Sequence, residues 1–301
     1  MSGSLTRRWC RAALGGLAFV AAACGRGEET PLRSGAGVRS PAPAFAPAWD
    51  GQPPEVWAAR LSDPDAGVRR QALLALGAIG PAAEAHVPAI AARFGDHDPD
   101  VRWAAIVALG RMGGAGAPYA PDVLATLEDP APGMRRAAVT ALRGLGPAVA
   151  EAVGARVVSP DADVRTTARE IFQGLGADGA PAIRGLARAV KGQDTAVAED
   201  AADALASIGA PAVSELRSLL ADSNGLVAVL AATSLARIGP SAKDAVPSLA
   251  SALRRRGDVR RASIDALLAI GAPSRAVLEV AASDPDEDLR DLAADALRRL
   301  R

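Results

Sequence analysis

The string Asp96-His97-Asp98-Pro99-Asp100 offers the side chains that hold a divalent cation, three carboxylates with a histidine between two of them. A calcium loop of this kind needs a glutamate further along, and the next twelve residues are instead an apolar helical pattern. The same aspartates suit a second role, accepting from the free N–H groups of the helix that follows, and other loops of the chain carry aspartate at the same place. Capping is the expected role. His86 and His97 are the only histidines, too few for a multi-histidine metal set. Both cysteines, Cys10 and Cys24, fall within the first 24 residues, so the remainder has neither disulfide nor thiol chemistry. No serine stands on a strand-to-helix elbow. The expectation is a protein without catalytic residues, metal ligands or cofactor.

The elements that position these residues follow one ruler. A small apolar residue leads to a glycine twelve places on at Val68–Gly80, Val101–Gly113, Met134–Gly146, Val164–Gly176, Val197–Gly209, Val227–Gly239 and Val259–Gly271, and Leu289 opens an eighth copy. The starts lie 33, 33, 30, 33, 30, 32 and 30 residues apart, a period that signals stacked helical repeats. Within each copy the apolar positions, at offsets 0, 4, 7, 8 and 11, share one helix face. Offset 8 is leucine except for Phe172, and offset 4 is alanine except for Ser263. Aspartates precede the helices, and the ruler glycine is expected to close each one in a left-handed C-cap. Shorter apolar runs follow, such as Val87–Phe94, Ile183–Val190 and Val213–Leu220, several with proline near the start. Each unit therefore reads as helix, turn, helix. The fold class expected is all-α, a solenoid of about seven to eight repeats over residues 54–301 in which stability is shared between neighbours.

Two ruler positions carry surface chemistry. Offset 1 is arginine at Arg69, Arg102, Arg135, Arg165, Arg260 and Arg290, interrupted at Ala198 and Ala228. Such a stripe suits anion binding, or a ladder in which each arginine reaches a capping aspartate of its own or the adjacent unit, and the aspartates three or five places earlier favour the ladder. Offset 2 is polar in most copies but Trp103 in the second, with Arg70 and Arg136 at the same position in the flanking copies. A tryptophan at a solvent-facing position is a candidate contact hot spot, and these three residues form the candidate partner-binding set. The other reading is an indole lying flat over its neighbours.

The pattern Asp-Pro-Asp-x-x-Val-Arg-x-x-Ala-x-x-Ala-Leu-Gly-x-Ile-Gly-Pro, clearest at Asp63–Pro81, resembles a HEAT repeat of the short kind found in phycobilisome lyases. The resemblance implies an α-solenoid. It implies less about function, because such repeats serve scaffolds, adaptors and a few enzymes. Among HEAT-like enzymes, deoxyhypusine hydroxylase is understood to bind di-iron through repeated His-Glu pairs, and neither His86-Val87 nor His97-Asp98 is such a pair. A bilin lyase needs an aromatic pocket, and the chain has one tyrosine, four phenylalanines and four tryptophans. A non-catalytic protein-binding scaffold is therefore expected, with a HEAT-like enzyme of the lyase or hydroxylase type as the alternative.

Residues 1–23 combine a basic head at Arg7, Arg8 and Arg11 with the uncharged run Ala12–Ala23, too short to span a bilayer as a mature helix and suited to a secretory signal. Ala21-Ala22-Ala23-Cys24 resembles a bacterial lipoprotein signal, which implies lipidation of Cys24, although Ala21 stands where that family prefers leucine. Cleavage after Ala23 with plain secretion is the alternative. Gly25 and Arg26 lack the aspartate linked with inner-membrane retention, which favours the outer membrane where there are two. Residues 24–53, rich in proline and glycine, read as a tether to a solenoid facing the periplasm or exterior. The 34 basic and 34 acidic residues balance, and removal of residues 1–23 would leave a formal charge of −3. That balance speaks against nonspecific nucleic-acid binding, which needs a basic footprint. The expected partners are a protein and, through the lipid, a membrane, with no small-molecule substrate.

Overall fold

The computed structural model describes residues 51–300. The signal segment, Cys24 and all of the tether before residue 51 lie outside the described residues.

Eight long helices coincide with the eight ruler copies: α2 (Ala66–Ile79), α4 (Pro99–Arg111), α6 (Pro132–Gly144), α8 (Ala162–Leu175), α10 (Thr195–Ile208), α12 (Gly225–Ile238), α14 (Asp258–Ile270) and α16 (Glu287–Arg299). Before each stands a shorter one: α1 (Pro54–Ala59), α3 (Val87–Ala91), α5 (Ala120–Ala125), α7 (Ala150–Val157), α9 (Ile183–Val190), α11 (Val213–Leu220), α13 (Val246–Ala252) and α15 (Arg275–Ala281). No strand occurs among the described residues. The long helices pack in sequence, each against the next from α2 to α16, and each also packs against the short helix that precedes it. The result is an all-α solenoid of helix pairs. The sequence expectation named no run for α7 or α15, whose apolar residues are fewer and interrupted by glycine or charge.

The buried stripe is the one the ruler marks. Leu76, Leu109, Leu142, Phe172, Leu205, Leu235 and Leu267 are fully buried at offset 8, and so are the offset-4 alanines. Each such leucine contributes about 1.5–3 kcal/mol. Leu297, in α16, is only half-buried, since among the described residues no further layer covers it. Ser263 is completely buried where the other copies have alanine, and its hydroxyl donates to the Val259 carbonyl at 2.7 Å. That bond within the helix offsets the burial of a polar group.

The closest helix approach lies elsewhere than expected. A side chain added at Gly77 of α2 would place Cβ 2.9 Å from the Ala108 Cα of α4, and one at Gly110 of α4 would meet the Ala141 backbone of α6 more closely still. Glycine at offset 9 facing alanine at offset 7 of the next helix sets that spacing, together with the offset-4 alanines.

Helix ends depart from the expectation in one respect. The glycine at the C-terminus of α10, Gly209, has φ 80° and ψ −137°, and Gly80, Gly176, Gly239 and Gly271 are similar. This is the mirror image of extended backbone rather than the left-handed helical cap, so it tolerates glycine and disfavours asparagine as well as alanine. In the second and third copies the helix stops short, at Arg111 and Gly144, and the ruler glycine follows in the turn.

Candidate partner-binding surface

The helix starts account for the aspartates. Asp98 caps α4, accepting from the N–H groups of Asp100 at 2.8 Å and Val101 at 3.2 Å, while Asp96 accepts from the Asp98 N–H at 3.1 Å. The same two-residue device recurs as Asp63 then Asp65, Asp222 then Asn224, and Asp284 then Asp286. The Asp96–Asp100 string is thus a capping loop. Two of the eight long helices lack the cap: α6 begins after Ala131 and α14 after Gly257. The N-caps Asp194 and Asn224 and the loop acceptor Asp129 hold the corresponding places before the ruler, Asn224 being the one that is not an aspartate.

The offset-1 arginines form the ladder, in a different form from the one expected. Within its own unit each reaches main-chain carbonyls rather than the capping carboxylate. Arg69 Nη1 donates to the carbonyls of Asp63 and Pro64, Arg102 to Asp96 and His97, Arg135 to Asp129 and Pro130, and Arg165 to Ser159 and Pro160. Carboxylates enter from the next unit. Arg69 forks onto Asp96 at 2.9 and 2.7 Å, Arg165 meets Asp200 at 2.7 Å, and Arg260, nearly fully buried, holds Asp286 and Asp288 at 2.9–3.0 Å. These forks are geometrically specific bonds that lock one layer to the next. The Arg69 guanidinium holds the Asp96 carboxyl below its ordinary range, and Arg260 pulls Asp286 down to about 2. Where the ruler has Ala228, Arg255 supplies the missing brace, donating to the carbonyls of Leu220 and Asp222 at 3.2 and 2.7 Å.

Trp103 lies on α4 with 38% of its surface exposed, flanked at the matching position by the exposed Arg70 of α2 and Arg136 of α6. Packing of α2 on α4 and of α4 on α6 brings the three into register on successive helices. They do not form a stack. Arg70 leans instead toward Asp100, with Nη1 3.5 Å from the carboxylate, an exposed pair that contributes little. Among the described residues the guanidinium that does cover an indole is Arg60, 4.6 Å from the ring of buried Trp57 in α1. The sequence reading passed over that pair, although the i, i+3 spacing shows it. The remaining large exposed hydrophobic residues, Val56, Val158, Leu226 and Val280, are smaller than Trp103 and scattered over four helices or turns.

The histidines sit apart from any such set. His86 Nε2 is 4.0 Å from the Glu55 carboxylate, and His97 is an exposed loop residue. Among the described residues no group of three or more histidine, cysteine, aspartate or glutamate side chains is arranged to hold a metal ion.

The family model for HEAT repeats matches residues 54–143, 181–267 and 213–298. No curated protein sequence matches the chain. Among solved structures it is similar to human deoxyhypusine hydroxylase in complex with glycerol, at 23% identity over 82% of this chain and 95% of that one, with a TM-score of 0.35. It is similar also to Kap121p, at 15% identity over 83% of this chain and 33% of that one, again with a TM-score of 0.35. The chain thus spans about a third of Kap121p.

Proposed function

Because the chain belongs to the HEAT-repeat family, we propose that it is a non-catalytic protein-protein interaction scaffold, tethered in the bacterial cell envelope by a lipid on Cys24. The exposed Trp103 supports the scaffold reading. The leucine and alanine stripe is spent between layers, and most of the arginine ladder, Arg102 apart, is spent on loops and neighbouring carboxylates. What remains for a partner is an indole at a position that is polar in most copies, with Arg70 and Arg136 on either side. Tryptophan and arginine are the side chains enriched at the energetic centres of protein interfaces. The alternative is a HEAT-like enzyme of the bilin lyase or hydroxylase type. The anchor rests on the signal-like run ending at Ala23-Cys24, with the outer membrane favoured and plain secretion after Ala23 as the alternative.

Cross-linked co-purification from native membranes, with wild type and Trp103→Ala side by side, tests the docking reading. Loss of captured protein at unchanged melting temperature supports it. A lowered melting temperature with capture unaffected makes Trp103 a packing residue and sinks it. Co-purification of a metal ion or chromophore would instead favour a HEAT-like enzyme of the lyase or hydroxylase type. Mass spectrometry of the mature N-terminus decides the anchor: a lipid on Cys24 supports it, and a bare Cys24 or an intact Met1 overturns it.

A further inference from the structure

Arg69 and Arg102 occupy the same position on successive long helices, and each has an aspartate at the same place in the following loop, Asp96 for the first and Asp129 for the second. The first rung is closed, with Arg69 Nε and Nη2 donating to Asp96. The second is open. Arg102 spends Nη1 on the Asp96 and His97 carbonyls, and among the described residues its Nε and Nη2 form no hydrogen bond. The Asp129 carboxylate accepts from the Ala131 N–H of its own loop at 2.8 Å and, among the described residues, from no arginine, Arg135 reaching only its main-chain carbonyl; the Asp122 carboxylate on α5 is likewise without an ion pair among the described residues. All three side chains line one open surface cleft of about 390 Å³. Phe94, Ile106 and Met134 supply its apolar surface, the last two buried.

The charges restrict the occupant. A simple anion matched to Arg102 would face two carboxylates, and a simple cation matched to Asp122 and Asp129 would face a guanidinium. A molecule bearing both charges and a hydrocarbon group satisfies every wall. We propose that this cleft binds a free aliphatic α-amino acid, its carboxylate on Arg102, its ammonium on Asp122 and Asp129, and its side chain against Phe94, Ile106 and Met134. The bound molecule completes the rung that Asp96 completes in the preceding unit, so it braces the second layer against the third. This is recognition without reaction. It stands independently of Trp103 and of the tether.

Isothermal titration of the full-length protein with L-leucine, N-acetyl-L-leucine and L-leucinamide tests it. L-leucine is expected to bind one to one and to raise the melting temperature, and each blocked analogue to bind about tenfold or more weakly, because each removes one charge-assisted contact. Asp122→Asn and Asp129→Asn should each weaken L-leucine by a similar factor at unchanged helical content. Asparagine at 129 keeps the oxygen that accepts from Ala131, and Asp122 lies on an exposed surface, so at least the latter variant leaves the fold intact. No binding of leucine, isoleucine, valine or methionine overturns the proposal. So does equal binding of the blocked analogues, or undiminished binding by folded Asp122→Asn protein.

Discussion

Substitution of Gly209 separates the backbone from everything else. An added Cβ at this residue meets nothing within 4 Å, so no packing change accompanies it. The cost is conformational alone. At φ 80° and ψ −137° a residue with a Cβ is strained by about 1–3 kcal/mol. Gly209→Ala also stiffens the unfolded chain, which returns about 0.4–1 kcal/mol. The net loss should be about 0–2.6 kcal/mol, a fall of up to about 10 °C in melting temperature for a chain of this size. Because repeat stability is shared between neighbours, hydrogen exchange is the sharper assay: amides of α10 and α11, on either side of Gly209, should lose the most protection. Gly209→Asn carries the discrimination. Asparagine is tolerated in a left-handed helical cap but has no advantage in the mirror-extended region, so it should cost about as much as alanine. A tolerated asparagine beside a damaging alanine would show that α10 ends in an ordinary left-handed cap, and a clearly stabilising alanine would refute the geometry altogether.

Leu142→Ala, at a fully buried site in α6, should cost about 2–5 kcal/mol through lost transfer energy and a residual cavity, with exchange protection falling in α4 and α8 as well. Gly110→Ala sets two effects against each other: alanine gains about 1 kcal/mol of helix propensity, while overlap with the Ala141 backbone costs about 1–3 kcal/mol, so chemical denaturation should show a net loss. The depressed Asp286 carboxyl links the closing units to pH. Its ion pairs stabilise fully above the ordinary aspartate value near 3.8 and are lost as pH falls toward about 2, so melting temperature should drop across that window and Asp286→Asn should flatten the drop. Trp103→Ala should weaken partner capture by about 2 kcal/mol or more, read from a binding isotherm once the captured protein is in hand, with thermal stability unchanged.

The repeat itself was legible because a stack imposes one rule many times. Every long helix must bury the same stripe on its neighbours, so leucine at offset 8, alanine at offset 4 and the terminal glycine recur, and the eight copies match α2 through α16. Residue type and spacing alone determined the fold class, the helix pairing and the placing of Trp103, Arg70 and Arg136 at one register. Side-chain destinations were not legible in the same way. That Arg69 closes on Asp96 while Arg102 leaves Asp129 unpaired is invisible in two units with the same residues at the same offsets, because the difference lies in how two layers sit against each other. Arg255 bracing the loop beside Ala228 escapes the ruler for the same reason, since it arrives from a neighbouring layer at a different offset. The backbone angles of the terminal glycines were likewise decided by the tight turn into each short helix: glycine type permits both the left-handed and the mirror-extended region, and only the packed turn selects between them.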